Sequence, residues 1–276
     1  MNFIKMHGTG NDYVYVDCFT ETVVNPSELA VSISHRHFGV GSDGLILIFP
    51  HAEADAEMVM YNADGSMSEM CGNGLRCVAK FVHDNYAKGK KNLRLMTGRG
   101  ILNTEIITGS DGLAELITVN MGAPIFNGLA IPTTIDLPKV FEQHLDVAGR
   151  SFTFHAVSMG NPHCVIYVDD VEHFPISEIG PLIEHHPVFP ARVNVEFVEI
   201  VSEKNLIQRT WERGAGETWA CGTGASAVAV VSRLTGKTEK DIKIRLLGGE
   251  LSLSYEDGGD VIMTGPAVEV FRGEWA

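Results

Sequence analysis

Apolar and polar positions alternate at period two in several short runs of the chain. Val195, Phe197 and Glu199 are spaced by Glu196 and Val198, and the same rhythm joins Ile242, Ile244 and Leu246, then Leu251, Leu253 and Tyr255. Turn residues such as Asp257-Gly258-Gly259 separate the runs. Such alternation predicts antiparallel strands with one buried face. Two stretches follow a helical period instead. Leu75, Val78, Ala79, Val82 and Tyr86 fall on one helix face, with Gly89 as a stop. Ala225 to Leu234 is apolar almost all round, which predicts a buried helix.

The chain also repeats itself at an offset of 150 residues. Gly10-Asn11 recurs as Gly160-Asn161, Ser27-Glu28 as Ser177-Glu178, His35 as His185, Cys71-Gly72 as Cys221-Gly222, Gly74 as Gly224, and Val78-Ala79 as Val228-Ala229. Each match is weak alone, but the shared register argues for two related halves. Val119 to Phe126 resembles Val261 to Val268, so a C-terminal strand is expected to cross back into the first half. The expected fold is α+β. It has two pseudo-symmetric halves, each a mostly antiparallel strand layer or barrel around a central helix, with the active site in the cleft between them. The expected division is 1–118 plus 262–276 for the N-terminal half and 119–261 for the C-terminal half.

Composition narrows the function. The 276 residues carry a formal net charge of −14, which argues against a nucleic-acid binder or a partner of anionic membranes. The N-terminus lacks the apolar core of a signal peptide. The longest uncharged stretch, Leu116 to Ile135, is broken by Asn and Pro and is no membrane span. Five cysteines, an odd and scattered set, suggest free thiols in a cytoplasmic protein. The 29 glycines are more than usual for this length, which directs attention to glycine-rich loops.

Several motifs fail in context. Gly39-Val-Gly-Ser-Asp-Gly44 is followed by the strand Leu45 to Phe49, whereas a dinucleotide fingerprint needs the strand first. Gly236-Lys237-Thr238 lacks the upstream glycine of a P-loop. Cys71 and Cys77 have no second pair, so no metal site is expected. No lysine has a context that suggests a pyridoxal phosphate Schiff base, and no cofactor is expected.

Two related pieces remain, Cys71-Gly72-Asn73-Gly74 and Cys221-Gly222-Thr223-Gly224, each at the start of a predicted helix. A helix N-terminus attracts an anion and stabilises a thiolate, so either cysteine is expected to titrate below a free thiol. Glycines let a ligand approach the free N–H groups. One such cysteine alone reads better as a small buried residue capping a helix; two at repeat-related positions suggest inversion of a tetrahedral carbon, a thiolate taking a proton from one face and a thiol delivering one to the other. Donors at two helix starts would hold the carboxylate beside the carbanion. Three other classes fit parts of the pattern. They are a thiol redox protein cycling Cys71 and Cys221, an acyl-transfer enzyme pairing Cys71 with His163, and a non-catalytic amino-acid-binding protein.

Over nearly its whole length the sequence resembles the diaminopimelate epimerase family. The segments that carry the likeness are Lys5 to Asp12, Asn62 to Cys77, Ser158 to His163, Glu212 to Gly224 and Met263 to Ala267. The resemblance implies a cofactor-independent isomerase of lysine biosynthesis, interconverting LL- and meso-diaminopimelate, and a homodimer. It implies Cys71 and Cys221 as acid/base thiols, with His163 and Glu212 orienting and tuning them. It implies that Gly72-Asn73 and Gly222-Thr223 bind the carboxylate at the reacting carbon. Asn11, Asn62, Asn161, Asn194, Glu212 and Arg213 would line the substrate pocket. A second class-mate, a proline or hydroxyproline racemase, fits less well, because Glu212 and Arg213 suit a substrate with a second charged end. Three departures stand out: Gly44 where the family often has Gln, Thr223 in place of Ser, and Phe271 where Tyr is common. Asp64 and Glu217, in the same loops, read as turn or cap residues.

Overall fold

A computed structural model describes residues 1–276. The chain forms two compact units, Met1–Asn120 with Thr264–Ala276, and Met121–Met263. Unit 1 begins with β1 (Asn2–Gly8), β2 (Asn11–Asp17), α1 (Pro26–Ser34), β3 (Gly44–Phe49), β4 (Ala56–Asn62), β5 (Met67–Ser68), α2 (Gly72–Tyr86), β6 (Asn92–Thr97), β7 (Gly100–Thr108) and β8 (Ala114–Asn120). Unit 2 holds β9 (Val140–Val147), β10 (Arg150–Ser158), β11 (Pro162–Tyr167), α3 (Ile176–Glu184), β12 (Asn194–Ser202), β13 (Asn205–Glu212), β14 (Gly216–Thr218), α4 (Gly222–Leu234), β15 (Asp241–Leu246) and β16 (Gly249–Tyr255). The chain leaves unit 2 through β17 (Val261–Pro266), and β18 (Val268–Glu274) pairs antiparallel with β1. No helix is long and apolar enough to cross a membrane.

The repeat governs topology as well as sequence. In unit 1 the pair β2/β3 is parallel, with Val14 opposite Leu45. In unit 2 the pair β11/β12 is parallel, with Cys164 opposite Val195. Both residues move by the same 150 positions. Parallel neighbours need a crossover, and each is supplied by a helix. α1 links β2 to β3, α3 links β11 to β12, α2 lies between the parallel pair β4/β6, and α4 between β13/β15. The ladders β1/β2, β3/β4, β6/β7, β7/β8, β9/β10, β12/β13 and β15/β16 are antiparallel.

Within unit 1, α2 packs against strands on several sides (β1, β2, β4, β6, β7 and β8) and is the central helix; α1 covers β3 and β4 from outside. In unit 2, α4 packs on β10, β11, β12 and β16, and α3 covers β12 and β13. The buried residues of α4 run from Ala225 through Ser232 without a break, as its all-round apolar sequence requires. The unit 2 core gathers Phe154, Phe189, Val195 and Phe197, among others, and a separate core in unit 1 gathers Val14, Val16, Leu45 and Leu47.

Alternation reads correctly where one face meets solvent. In β15, Ile242, Ile244 and Leu246 are buried while Asp241, Lys243 and Arg245 are exposed. It fails in β12, where Asn194 through Val198 are all buried. Both α3 and α4 pack on that strand, so it has no solvent face, and Glu196 is buried completely (0% exposed).

One contact tests the α3 packing. A Cβ added to Gly180 would lie 2.6 Å from the Trp211 ring. Gly180→Ala gains about 1 kcal/mol of helix propensity. Overpacking of a tight core costs about 1–3 kcal/mol. The expected result is a net loss, read as a lower urea midpoint at unchanged slope. A raised midpoint would show that α3 is free to move off β13.

Candidate active site

The two cysteines occupy the same local position. Cys71 is the N-cap of α2, in extended backbone, and its sulfur accepts the Gly74 N–H at 3.4 Å. Cys221 is the N-cap of α4, and its sulfur accepts the Gly224 N–H at 3.3 Å. A sulfur at the cap takes one of the four N–H groups that a helix start leaves free. Gly72-Asn73 and Gly222-Thr223 follow as the first helical residues.

Around Cys71 the partners are amides, a phenol and a guanidinium. The thiol donates to Asn11 Oδ1 at 3.3 Å, which also accepts from Asn73 Nδ2 at 3.4 Å. Asn11 Nδ2 donates to Asp43 Oδ2 at 2.7 Å. A carboxylate only accepts, so Asp43 fixes which end of the Asn11 amide faces the sulfur. Asp43 is itself held by Arg36 at 2.8 Å, and Asp12 by Lys5 and Arg36. Burial, with Cys71 and Asp43 nearby, pushes the Tyr13 phenol well above its ordinary value, so Tyr13 stays neutral. Arg76 is fully buried on α2, donating to Thr9 Oγ1 at 2.8 Å and to the Pro266 carbonyl at 3.2 Å. Asn62 ends β4 and donates to Ser66 Oγ at 2.9 Å.

Around Cys221 the partners are acid and base. His163, wholly buried, places Nδ1 2.8 Å from Glu196 Oε1 and Nε2 3.0 Å from Asn161 Oδ1. Asn161 Nδ2 donates to Thr223 Oγ1 at 3.2 Å, and that hydroxyl lies 3.4 Å from the Cys221 sulfur. Glu196 Oε2 accepts from Gln208 Nε2 at 2.7 Å and from Thr210 Oγ1 at 2.6 Å. Glu212 accepts the Thr218 hydroxyl at 2.5 Å. Asn194, also buried, donates to the Pro162 carbonyl at 2.8 Å and accepts the Arg213 N–H at 3.0 Å, so it fixes the loop that presents Arg213. The Arg213 guanidinium donates to the Ala191 carbonyl at 3.2 Å.

Electrostatics therefore distinguish the halves. The expectation that the thiol titrates below a free thiol is corrected at Cys221. Burial pushes that thiol well above its ordinary value, the Glu212 and Glu196 carboxylates push the same way, and the Thr223 and Gly224 hydrogen bonds oppose them without prevailing. Desolvation outweighs the helix N-terminus here. His163, Glu196 and Cys221 offer ligand atoms within 4.8 Å of one another, the set best suited to a soft divalent ion. Their hydrogen bonds already occupy both ring nitrogens and both carboxylate oxygens.

Of the residues expected at the site, unit 1 brings Asn11, Asn73 and Cys71 together, and unit 2 brings Asn161, His163, Thr223 and Cys221 together. Asp64 is a turn residue as expected, accepting the Ser66 N–H at 2.9 Å. Glu217 is not a cap: it lies in β14, paired with Arg209 at 2.7 Å. At Gly44 an added Cβ would collide with the Tyr61 carbonyl and lie 2.9 Å from the Tyr13 ring, so no larger side chain fits there without backbone movement. Glu196, Asp43 and Arg76 join these residues without belonging to a motif that marks them in the sequence. Glu196 had one signal, an acidic residue inside the apolar run Val195 to Val198.

Comparison with known proteins gives consistent relatives. The sequence profile of the family described as "Diaminopimelate epimerase" matches residues 3–127 and 155–270. A diaminopimelate epimerase of Acetivibrio thermocellus is 52% identical over 275 residues, spanning 99% of this chain and 98% of that protein. One of Leptospira biflexa is 51% identical over 276 residues, spanning 99% and 98%. Among solved structures, a Bacillus anthracis phenazine biosynthesis protein of the PhzF family aligns with TM-score 0.71 at 18% identity, covering 100% of this chain and 99% of that one. A probable proline racemase of Agrobacterium radiobacter aligns with TM-score 0.71 at 17% identity, covering 100% and 92%. These structural neighbours share the fold.

The two cap glycines make a matched test. A Cβ on Gly74 would meet only the end of the Ile46 side chain, at 2.7 Å, which can rotate away. A Cβ on Gly224 would meet the Glu196 carboxylate at 2.5 Å, which His163, Gln208 and Thr210 hold in place. Gly224→Ala is expected to lower the thermal midpoint more than Gly74→Ala, by about 1–3 kcal/mol in stability. Equal effects would mean the Glu196 cluster yields as easily as one isoleucine.

Proposed function

This chain belongs to the diaminopimelate epimerase family, and from that premise we propose that Cys71 and Cys221 are the acid and base of the reaction. The activity is epimerisation between LL- and meso-diaminopimelate, a step of lysine biosynthesis. Inversion of an amino-acid carbon needs a base on one face and an acid on the other. A thiolate removes the α-proton, a carbanion forms next to the carboxylate, and the second thiol returns a proton to the opposite face. One proton enters the protein and one leaves it, so the thiols exchange roles at each turnover and either direction is served.

The observation that carries this reading is the pair of repeat-related N-cap thiols, each with its sulfur on the third N–H of a central helix. The N–H groups of Gly72-Asn73 and Gly222-Thr223 suit the substrate carboxylate, which bears the growing charge of the carbanion. Arg213 and Glu212 supply opposite charges for the distal amino-acid end. Asn11, Asn62, Asn161 and Asn194 add neutral donors and acceptors that orient the substrate without a net charge. In this reading the chemistry needs no cofactor.

A homodimer is the second part of the proposal. β18 pairs with β1 and leaves Val268, Val270 and Phe271 at 40%, 55% and 45% exposure. Phe271 packs edge-on against Phe3 with 6.0 Å between ring centroids, so its orientation is fixed. An ordered apolar strand of this kind suits a second copy of the chain.

Two measurements test these points. With LL-diaminopimelate in heavy water, the enzyme is expected to place deuterium at the α-carbon as the meso isomer forms. Cys71→Ala and Cys221→Ala are each expected to lower kcat/KM by about 10²–10⁴-fold. Full turnover in the double variant would exclude thiol chemistry. For assembly, Phe271→Asp is expected to convert a dimer to a monomer in sedimentation analysis, and a wild-type chain that sediments as a monomer would remove this part of the proposal.

A further inference from the structure

The repeat gives an internal control for each group around the thiols. An offset of 150 carries Asn11 to Asn161, Tyr13 to His163, Ile46 to Glu196 and Cys71 to Cys221. Ile46 and Glu196 are both buried completely and both meet the cap glycine of their own helix. An isoleucine therefore suffices to fill this position, and packing alone does not call for a carboxylate. A buried carboxylate is costly unless hydrogen bonds and an opposite charge compensate it. Glu196 has donors on Oε2 from Gln208 and Thr210, which leaves Oε1 for His163.

We propose that Glu196 is a positioning residue that fixes His163 with its proton on Nδ1 and so makes Nε2 the end of a two-way hydrogen-bond chain to Cys221. This inference rests on the reading of Cys221 as an acid/base thiol. Every link of the chain after His163 can point either way. With the thiol protonated, S–H donates to Thr223 Oγ1, the Thr223 hydroxyl donates to Asn161 Oδ1, and Asn161 Nδ2 donates to a bare Nε2. With the thiolate, Nε2 carries the proton and donates to Asn161 Oδ1, Nδ2 donates to Thr223 Oγ1, and the Thr223 hydroxyl donates to the sulfur. The two states hold the same number of protons. The proton lost from sulfur is gained by the imidazole, and the Glu196 carboxylate balances the cation. The switch requires the Asn161 amide to turn over, its two ends being interchangeable in shape; the amide only realigns the hydrogen bonds, and the proton itself passes between the sulfur and the imidazole, whose ligand atoms lie within 4.8 Å of one another.

The other half lacks this freedom. Asn11 Nδ2 is held by Asp43, which cannot donate while ionised, so the Asn11 oxygen stays toward Cys71. Asn161 has no such lock: its amide meets only Nε2 of His163 and the Thr223 hydroxyl, and each of these accepts or donates as required. The titratable groups facing the chain are Glu196, Cys221, Glu212 and Cys164; the last is a fully buried thiol pushed well up by burial and remains neutral.

Nitrogen-15 NMR of histidine-labelled full-length protein tests this without turnover. In the wild type, His163 is expected as the Nδ1–H neutral form or as imidazolium at every pH where the protein is folded. A neutral Nε2–H form would overturn the proposal. In Glu196→Gln the Gln208 and Thr210 donors keep the amide oxygen, so the new NH2 group faces Nδ1. His163 is then expected to switch to the Nε2–H form, with kcat/KM lowered about 100-fold or more and partly restored in Glu196→Asp. A folded Glu196→Gln protein with an unchanged His163 signal, or with kcat/KM within about twofold of wild type, would also overturn it. Should Glu196→Gln fail to fold, the wild-type signal still decides. Loss of the thiol mechanism would appear instead as deuterium exchange surviving in Cys221→Ala, so the two failures are distinguishable.

Discussion

A sulfur atom at the first free N–H groups of a central helix is the constraint around which each half of this protein is arranged. The cap requires extended backbone at the cysteine, glycines in the first turn, and a strand close enough to cover that turn. Glycine in a helix costs about 1 kcal/mol relative to alanine. Both central helices accept that cost twice within three residues, because Gly74 meets Ile46 and Gly224 meets Glu196. The parallel crossover on each side follows from the same need, since a helix that must begin beneath one strand and finish beside another is a crossover helix. Fold and site are thus one arrangement.

Upon that shared frame the halves diverge in charge. The surroundings of Cys71 include a buried guanidinium and an aliphatic side chain; those of Cys221 include two carboxylates and an imidazole. A symmetric reaction would be served by symmetric surroundings. The substrate is not symmetric about its reacting carbon, however, and the two thiols do not start from equal positions. In the proposed mechanism, a thiol raised by burial with a base nearby would serve as acid in one direction and release its proton in the other.

Much of this was legible in the sequence, for definite reasons. The repeat register survives because cap, glycine and asparagine positions are set by backbone geometry, which tolerates few residue types. Helices read well because their faces differ in polarity. What stayed hidden is the set of buried polar residues. Glu196 looks like the outward position of an alternating strand, and only packing on both faces by α3 and α4 makes it internal. Arg76 sits in the same turn as the cysteine motif, but nothing in its spacing tells that its charge is enclosed. Asp43 acts on Asn11 from a position 32 residues away, a distance over which local pattern carries no information. The acidity of Cys221 is hidden for a related reason: the helix end is visible in sequence, whereas desolvation depends on everything that closes over it.

The return of β18 to pair with β1 has a consequence for how the chain is made. β1 is made well before β18 and must wait, with one edge unpaired, until the whole of Met121–Met263 has been synthesised. Unit 2 is contiguous and can close as soon as it emerges; unit 1 cannot. Translation therefore imposes an order in which the later-made half is complete before the earlier-made one. During that interval an apolar edge rich in Phe3, Ile4 and Met6 is open to wrong partners.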